Sequence, residues 1–210
     1  MEASREDIER TPRGQGSLLR QRLIDATLAL LDEGSDPATI SIRGVTRKAG
    51  VSPTAFYLHF DSHEQLIREV IEHCFTDFRT MLNAATAQTS DPWQRLVDAG
   101  VAYMGFAREQ PARYRLIFSA DWEVLGIEEG EDSGLEVADA AFADLIELIA
   151  AYVGSNIEDP AELDVLGLGL WAGLHGYATL CHSQPSMAVT TDEQYASLLA
   201  KTWLGPKSGV

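Results

Sequence analysis

Ser52, Pro53, Thr54, Ala55, Tyr57 and His59 fall within one run, GVSPTAFYLHF, over residues 50–60. Small side chains at 53–55 let a backbone come close to another surface. Thr54 can donate or accept at a base edge, and its methyl or that of Ala55 can touch a thymine methyl. Tyr57 and His59 stand beyond that tip, where a hydroxyl and an imidazole can bond phosphate oxygens. The chemistry these residues offer is recognition rather than bond making. Phe56 and Phe60, interleaved with them, are apolar residues expected in the core.

Such a tip needs a rigid mount, and the flanking sequence supplies its signals. Ser52 before Pro53 reads as a cap with proline at the first helical position, opening a short helix to about Phe60. Ser41 caps an earlier short helix through about Ala49, and Gly50 ends it. Two short helices joined by a tight glycine turn, ahead of a longer helix, form a helix-turn-helix. Val45, Ala49, Val51 and Phe56 are its expected small core. The second helix of such a pair enters the major groove with its N-terminal residues at the base edges. The helix starts at Ser41, Ser52 and Ser62 also offer free N–H groups to phosphates.

The remaining pattern is helical throughout. Leu19, Leu23, Ala26 and Leu30 mark a first helix that stops at Gly34. Asp61 with Glu64 reads as a capping box for a long helix after the recognition tip. Asp91-Pro92, Pro111, Ser133 with Glu136, Asp159-Pro160 and Thr191 with Gln194 open five more. The expectation is an all-α chain of about nine helices, with long loops at 119–134 and after His182.

The net charge is −16, which alone argues against nucleic acid. Its distribution argues for it. Residues 10–60 hold seven basic side chains (Arg10, Arg13, Arg20, Arg22, Arg43, Arg47, Lys48) against four acidic ones (Asp25, Asp32, Glu33, Asp36). Residues 61–210 hold 8 basic and 24 acidic side chains. A chain so divided approaches a polyanion head first. The opening residues MEASREDIERTPRGQGS are polar and mixed in charge, unlike a secretory leader. Cys74 and Cys181 are too few for a disulfide framework, so a reduced, cytoplasmic protein is expected. His59, His63 and His73-Cys74 straddle a helix boundary and form no dense ligand cluster, so no metal site is expected. No nucleophile elbow, phosphate loop or dinucleotide-binding glycine pattern occurs, so neither an enzyme nor a cofactor is expected.

Residues 23–70 resemble the tetracycline-repressor (TetR) family of bacterial transcription regulators. The resemblance is carried by Ala-Gly-Val-Ser, a three-residue tip, Phe-Tyr-x-His-Phe and then Asp-Ser-x-Glu-x-Leu. It implies helices 1 to 3 on double-stranded DNA and helices 4 to 9 binding an effector and a second subunit. By this resemblance Arg43, Pro53, Thr54 and Ala55 line the groove or read bases, and Tyr57 and His59 clamp phosphates. One departure is His63, where many family members carry lysine, which implies a weaker or pH-dependent phosphate contact there. Trp171, His175 and Gly176 also resemble the C-terminal domain of one TetR subgroup.

The run VLGLGLWAGLHGYATLC, residues 165–181, carries no charge and four glycines. It reads as a buried helix at a subunit interface rather than a membrane span. Gly169, Gly173 and Gly176 permit close helix approach, and Tyr195, Leu198, Leu199 and Trp203 of the last helix are expected beside them, giving a four-helix dimer bundle. Two recognition tips about one DNA turn apart then read a pseudo-palindromic operator. Candidate effector contacts are Tyr103, Phe106, Phe118, Trp122, Phe142, Trp171, His175 and Tyr177, which could instead all be core. The expected organisation is a flexible arm over 1–16, a DNA-binding unit over 17–62, an effector and dimer unit over 63–205, and a tail over 206–210. The expected function is that of a dimeric repressor released from its operator by a small molecule. The alternative is a helical adaptor that binds no DNA.

Overall fold

Hydroxyl and carboxylate caps, with glycine stops, divide the chain into helices. The computed structural model describes residues 15–118, 125, 136–154, 157 and 159–205. Among them are nine α-helices and no strand: α1 Gln15–Asp32, α2 Ile42–Ala49, α3 Pro53–Phe56, α4 His63–Thr86, α5 Pro92–Glu109, α6 Pro111–Phe118, α7 Glu136–Val153, α8 Pro160–Ser183 and α9 Asp192–Leu204. Single 3-10 turns stand at Pro37–Thr39 and Pro185–Met187. The expected Ser133 start and nearly all of the 119–134 loop lie outside the described residues.

The α2–α3 corner follows from its capping groups. Ser41 Oγ accepts from Gly44 N at 3.2 Å, and Ser52 Oγ accepts from Ala55 N at 3.2 Å. Between them Gly50 takes the left-handed conformation, φ 67° and ψ 37°. That conformation lets Val51 N reach back to Thr46 O at 2.9 Å, which closes α2 and aims α3 across it. Val45, Ala49 and Phe56 are buried under the corner, and Val51 packs against them.

Two expectations at this end are corrected. α3 stops at Phe56 instead of reaching Phe60: beyond it His59 N and Phe60 N converge on the one carbonyl of Phe56, at 2.9 and 3.0 Å, and the helical ladder does not continue. The cap of α4 is Ser62, not Asp61: Ser62 Oγ accepts from Gln65 N at 3.2 Å, and the Gln65 side chain returns to accept from Asp61 N at 2.7 Å.

Arg20 of α1 fastens this head to α4. Its guanidinium pairs with Glu69, donates to the His59 carbonyl, and lies 4.4 Å over the Phe60 ring. Arg22 donates to Ala49 O at 2.6 Å and so caps the last turn of α2.

In the body, α5 lies against α4, α7, α8 and α9. Arg79 of α4 holds Asp144 of α7 with two bonds of 2.7 and 3.0 Å, and Arg108 of α5 holds Asp192 of α9 at 2.7 Å. Thr191 and Gln194 form the expected capping box of α9. Cys74 and Cys181 are both free thiols. No described helix is long and apolar enough to cross a membrane.

Glycines set how closely the body helices approach. A β-carbon on Gly100 of α5 would stand 2.8 Å from the Cβ of Ala196 in α9, an atom fixed to backbone. On Gly167 of α8 it would meet the terminal Cδ1 of Ile146 at 2.4 Å, which a rotamer change can move away. Gly100→Ala is expected to destabilise the fold by about 1–3 kcal/mol, and Gly167→Ala by less. Chemical denaturation of the two variants checks the order.

Candidate nucleic-acid interface and internal cavity

The outer face of α3 is open. Ser52, Pro53, Thr54 and Tyr57 are exposed and Ala55 is half-exposed, while Phe56 and Phe60 beneath them are buried. Phe56 meets Tyr57 edge-on, with ring centroids 5.3 Å apart, and stacks on Phe60 at 5.5 Å. These contacts root the phenol of Tyr57 and leave its hydroxyl outward. Leu58, not singled out from sequence, is 75% exposed beside it. Arg43 and Arg47 are exposed and make no ion pair among the described residues, whereas Lys48 is paired with Glu33. His59 is half-buried, and its carbonyl is taken by Arg20. His63 turns inward: its Nε2 is buried and without a hydrogen-bond partner.

A cavity of about 1600 Å³ opens in the body between α4, α5, α7 and α8. Tyr103, Phe118, Phe142 and Trp171 line it, together with Phe75, Phe78, Leu82, Arg95, Leu148 and Leu168. Phe75, Phe78 and Leu82 follow helical spacing on α4, a signal the sequence carried unused. Nothing in sequence marks Arg95, which reaches the cavity only through the packing of α5. Phe106, expected as a contact, sits behind the wall, its ring 5.2 Å from Phe78. Tyr177 lies elsewhere: it stacks on Tyr195 at 3.9 Å, and its hydroxyl donates to Thr190 O at 3.3 Å. Trp122 lies outside the described residues.

His175 stands one layer behind the wall in a polar cluster. Trp171 Nε1 donates to Tyr103 Oη at 3.2 Å, and Tyr103 Oη lies 3.3 Å from Tyr114 Oη. Nδ1 of His175 lies 2.7 Å from Tyr114 Oη and 3.1 Å from Tyr103 Oη. Burial raises the pKa of both phenols and lowers that of the imidazole, so all three stay neutral. Among the described residues no group of histidine, cysteine and acidic side chains could hold a metal ion.

Tyr114 brings α6 into the cluster, and the other side of that helix faces the head. Arg113 holds Asp32 of α1 with bonds of 2.8 and 2.7 Å and Asp77 of α4 at 3.3 Å. One eight-residue helix thus touches the cavity wall through Ile117 and Phe118 and the end of α1 through Arg113.

On the far side of α8 the glycines are used within the chain. A β-carbon on Gly169 would meet the Trp203 ring at 2.7 Å, and on Gly173 it would meet Leu199 at 2.6 Å. Tyr195 donates to Gly173 O at 3.2 Å. These glycines therefore seat α9 on α8 within the chain, the last helix lying beside them as expected. Gly176 has open space beside it. The surface left outward carries Leu168, Ala172 and Gly176 of α8 and Leu198, Thr202 and part of Trp203 of α9, with Leu168 and Leu198 55% and 62% exposed.

Because the folded chain resists protonation of His175, an unfolded chain takes up that proton first as pH falls. The stability tied to the neutral imidazole is present above the ordinary histidine pKa of about 6.5 and is lost below it. Urea midpoints are expected to be lower at pH about 5.5 than at pH about 7.5, and His175→Asn is expected to narrow that difference.

Comparison with known proteins places this architecture. Residues 23–70 match the family described as bacterial regulatory proteins, tetR family, and residues 96–201 match the tetracyclin repressor-like C-terminal domain. An uncharacterized HTH-type transcriptional regulator of Mycobacterium tuberculosis, Rv0681, is 28% identical over 190 residues, covering 90% of this chain and 81% of its own. A structure of a protein with unknown function from Rhodococcus sp. RHA1 superposes with a TM-score of 0.73 at 22% identity, over 95% of this chain and all of the other. A tetR-family transcriptional regulator from Streptomyces coelicolor superposes with a TM-score of 0.66 at 17% identity, over 89% and 79%. With its helix-turn-helix at one end and the family's C-terminal domain over the body, the chain belongs to the TetR family of DNA-binding transcriptional regulators.

Proposed function

We propose that the protein is a dimeric repressor that occupies a pseudo-palindromic operator and is released when a small molecule fills the body cavity. One observation carries the DNA half of this reading: Ser52, Pro53, Thr54 and Tyr57 on the outward face of α3 are exposed, while Phe56 beneath them is fully buried. In this reading residues 17–62 bind DNA and residues 63–205 bind the effector and a second copy, divided at the Ser62 cap of α4. Of the arm and tail expected over 1–16 and 206–210, residues 1–14 and 206–210 lie outside the described residues, and Gln15 already begins α1. A cytoplasmic location goes with access to the operator.

Thr54, Pro53 and Ala55 take the base edges, with Arg43 alongside. Tyr57 takes a phosphate, as do the N–H groups at Ser52 and the imidazole of His59. At His63 a phosphate contact requires Nδ1 or the helix N–H groups, since Nε2 points inward. Of the eight effector candidates, Tyr103, Phe118, Phe142 and Trp171 contact the ligand, and His175 orients Tyr103 behind them. The dimer face is the apolar surface of α8 and α9 around Leu168, Gly176 and Leu198, while Gly169, Gly173, Tyr195, Leu199 and Trp203 act mainly by seating α9. The effector works by preferring a body geometry in which α6, through Arg113, has moved α1 and the head.

Selection from a random duplex library is expected to enrich an inverted repeat whose affinity falls steeply with salt. Tyr57→Phe weakens binding to all sequences about equally, whereas Thr54→Ala shifts the preferred base; an unchanged preference would remove Thr54 from the reading tip. Ala172→Glu with Leu198→Glu, both on the outward strip and neither lining the cavity, is expected to give folded monomers by sedimentation, with much weaker operator binding. A dimer in that variant would place the interface elsewhere.

A further inference from the structure

The cavity is not uniform along its length. Thr86 and Arg95, on either side of the α4–α5 connection, border it, and Glu147 of α7 and Asp164 of α8 also belong to its lining. Toward the head the wall becomes aromatic, with Phe78, Tyr103 and Trp171. From Arg95 to Tyr103 along α5 is about 12 Å, and from Asp164 to Leu174 along α8 about 15 Å, at 1.5 Å rise per residue. The polar atoms at the aromatic end are already engaged: Trp171 Nε1 donates to Tyr103 Oη, and Tyr103 Oη is bonded to His175 Nδ1. That end therefore offers a ligand carbon surface and little else. The volume of about 1600 Å³ exceeds the usual range for small-molecule sites, about 300–1,000 Å³.

Charge separates the other end. Asp144 is held at both oxygens by Arg79. Asp139, Glu147 and Asp164 are exposed, so water already solvates them. Arg95 differs: it is half-buried, and its side chain makes no ion pair or hydrogen bond among the described residues. Its guanidinium therefore has its donors free toward the cavity, and an oxyanion that reaches it can take two charge-assisted bonds at once.

From this layout we infer that the cavity takes an elongated amphiphile with a carboxylate-like anionic head, the head on Arg95 and the apolar body along the wall toward Trp171. The inference rests on reading the cavity as the effector site and assigns that site its ligand class. Arg95 acts as the residue that sets head-group specificity, and the exposed carboxylates around the mouth disfavour a head that is bulky or carries several negative charges.

Calorimetric titration of the full-length protein with dodecanoate, dodecanol and dodecyltrimethylammonium, below their aggregation limits, tests it. Dodecanoate is expected to bind at least tenfold more tightly than the other two. Arg95→Met is expected to remove most of that margin without changing dodecanol binding, and Arg95→Lys, which keeps the charge, to retain part of it. If Arg95→Met does not fold, the ranking of the three probes on the unaltered protein and on Arg95→Lys still decides. Equal or tighter binding of the alcohol or the ammonium overturns the head-group assignment and leaves the cavity as an effector site. Binding of none of the three overturns that assignment and the effector reading together.

Discussion

One guanidinium closes the joint between the two halves of the molecule. Arg113 leaves α6 and holds Asp32 at the end of α1 and Asp77 midway along α4. Its side chain is 16% exposed while Asp32 and Asp77 stay 47% and 46% exposed, so the joint is fixed by the bidentate geometry on Asp32 and by the second carboxylate more than by burial. The head hangs from α1 and α4, and the cavity wall includes the next turn of α6. A change in the cavity that shifts α6 must therefore move α1 with it or break a bidentate pair. The fold offers α6 and the continuous α4 as the routes from body to head, and both pass this residue.

The head was largely legible because local chemistry decides it. Ser41, Gly50, Ser52 and Pro53 each satisfy or omit a backbone group at a helix end, and the resulting corner follows within a few residues. The length of α3 was not legible: after Phe56 the chain turns, and the partner of the His59 carbonyl and the Phe60 ring there is Arg20, a residue of α1 distant in sequence. The displacement of the α4 cap from Asp61 to Ser62 has a similar origin: both residues can cap, and the Gln65 side chain selects between them.

The body was legible as helices and much less as a site. Aromatic side chains at helical spacing serve equally as core or as wall, and only the packing of four helices separates Phe118 and Trp171, which face the cavity, from Phe106, which does not. The glycines of α8 announced close approach of the last helix, and Trp203 and Leu199 of that helix fill the notches at Gly169 and Gly173. What the sequence did not mark is which apolar side chains of α8 and α9 are left outward.

The seating of Trp203 on Gly169 has a consequence measured in base pairs. The ring rests where a β-carbon would stand 2.7 Å from it, so α9 is sunk against α8 as deeply as a backbone permits. The apolar strip around Leu198 stands at a height fixed by that depth. If two subunits meet on that strip, the depth also sets how far apart their α3 tips lie. A side chain grown at Gly169 would push the Trp203 ring out of that notch and so reshape the strip, without altering any residue that touches DNA.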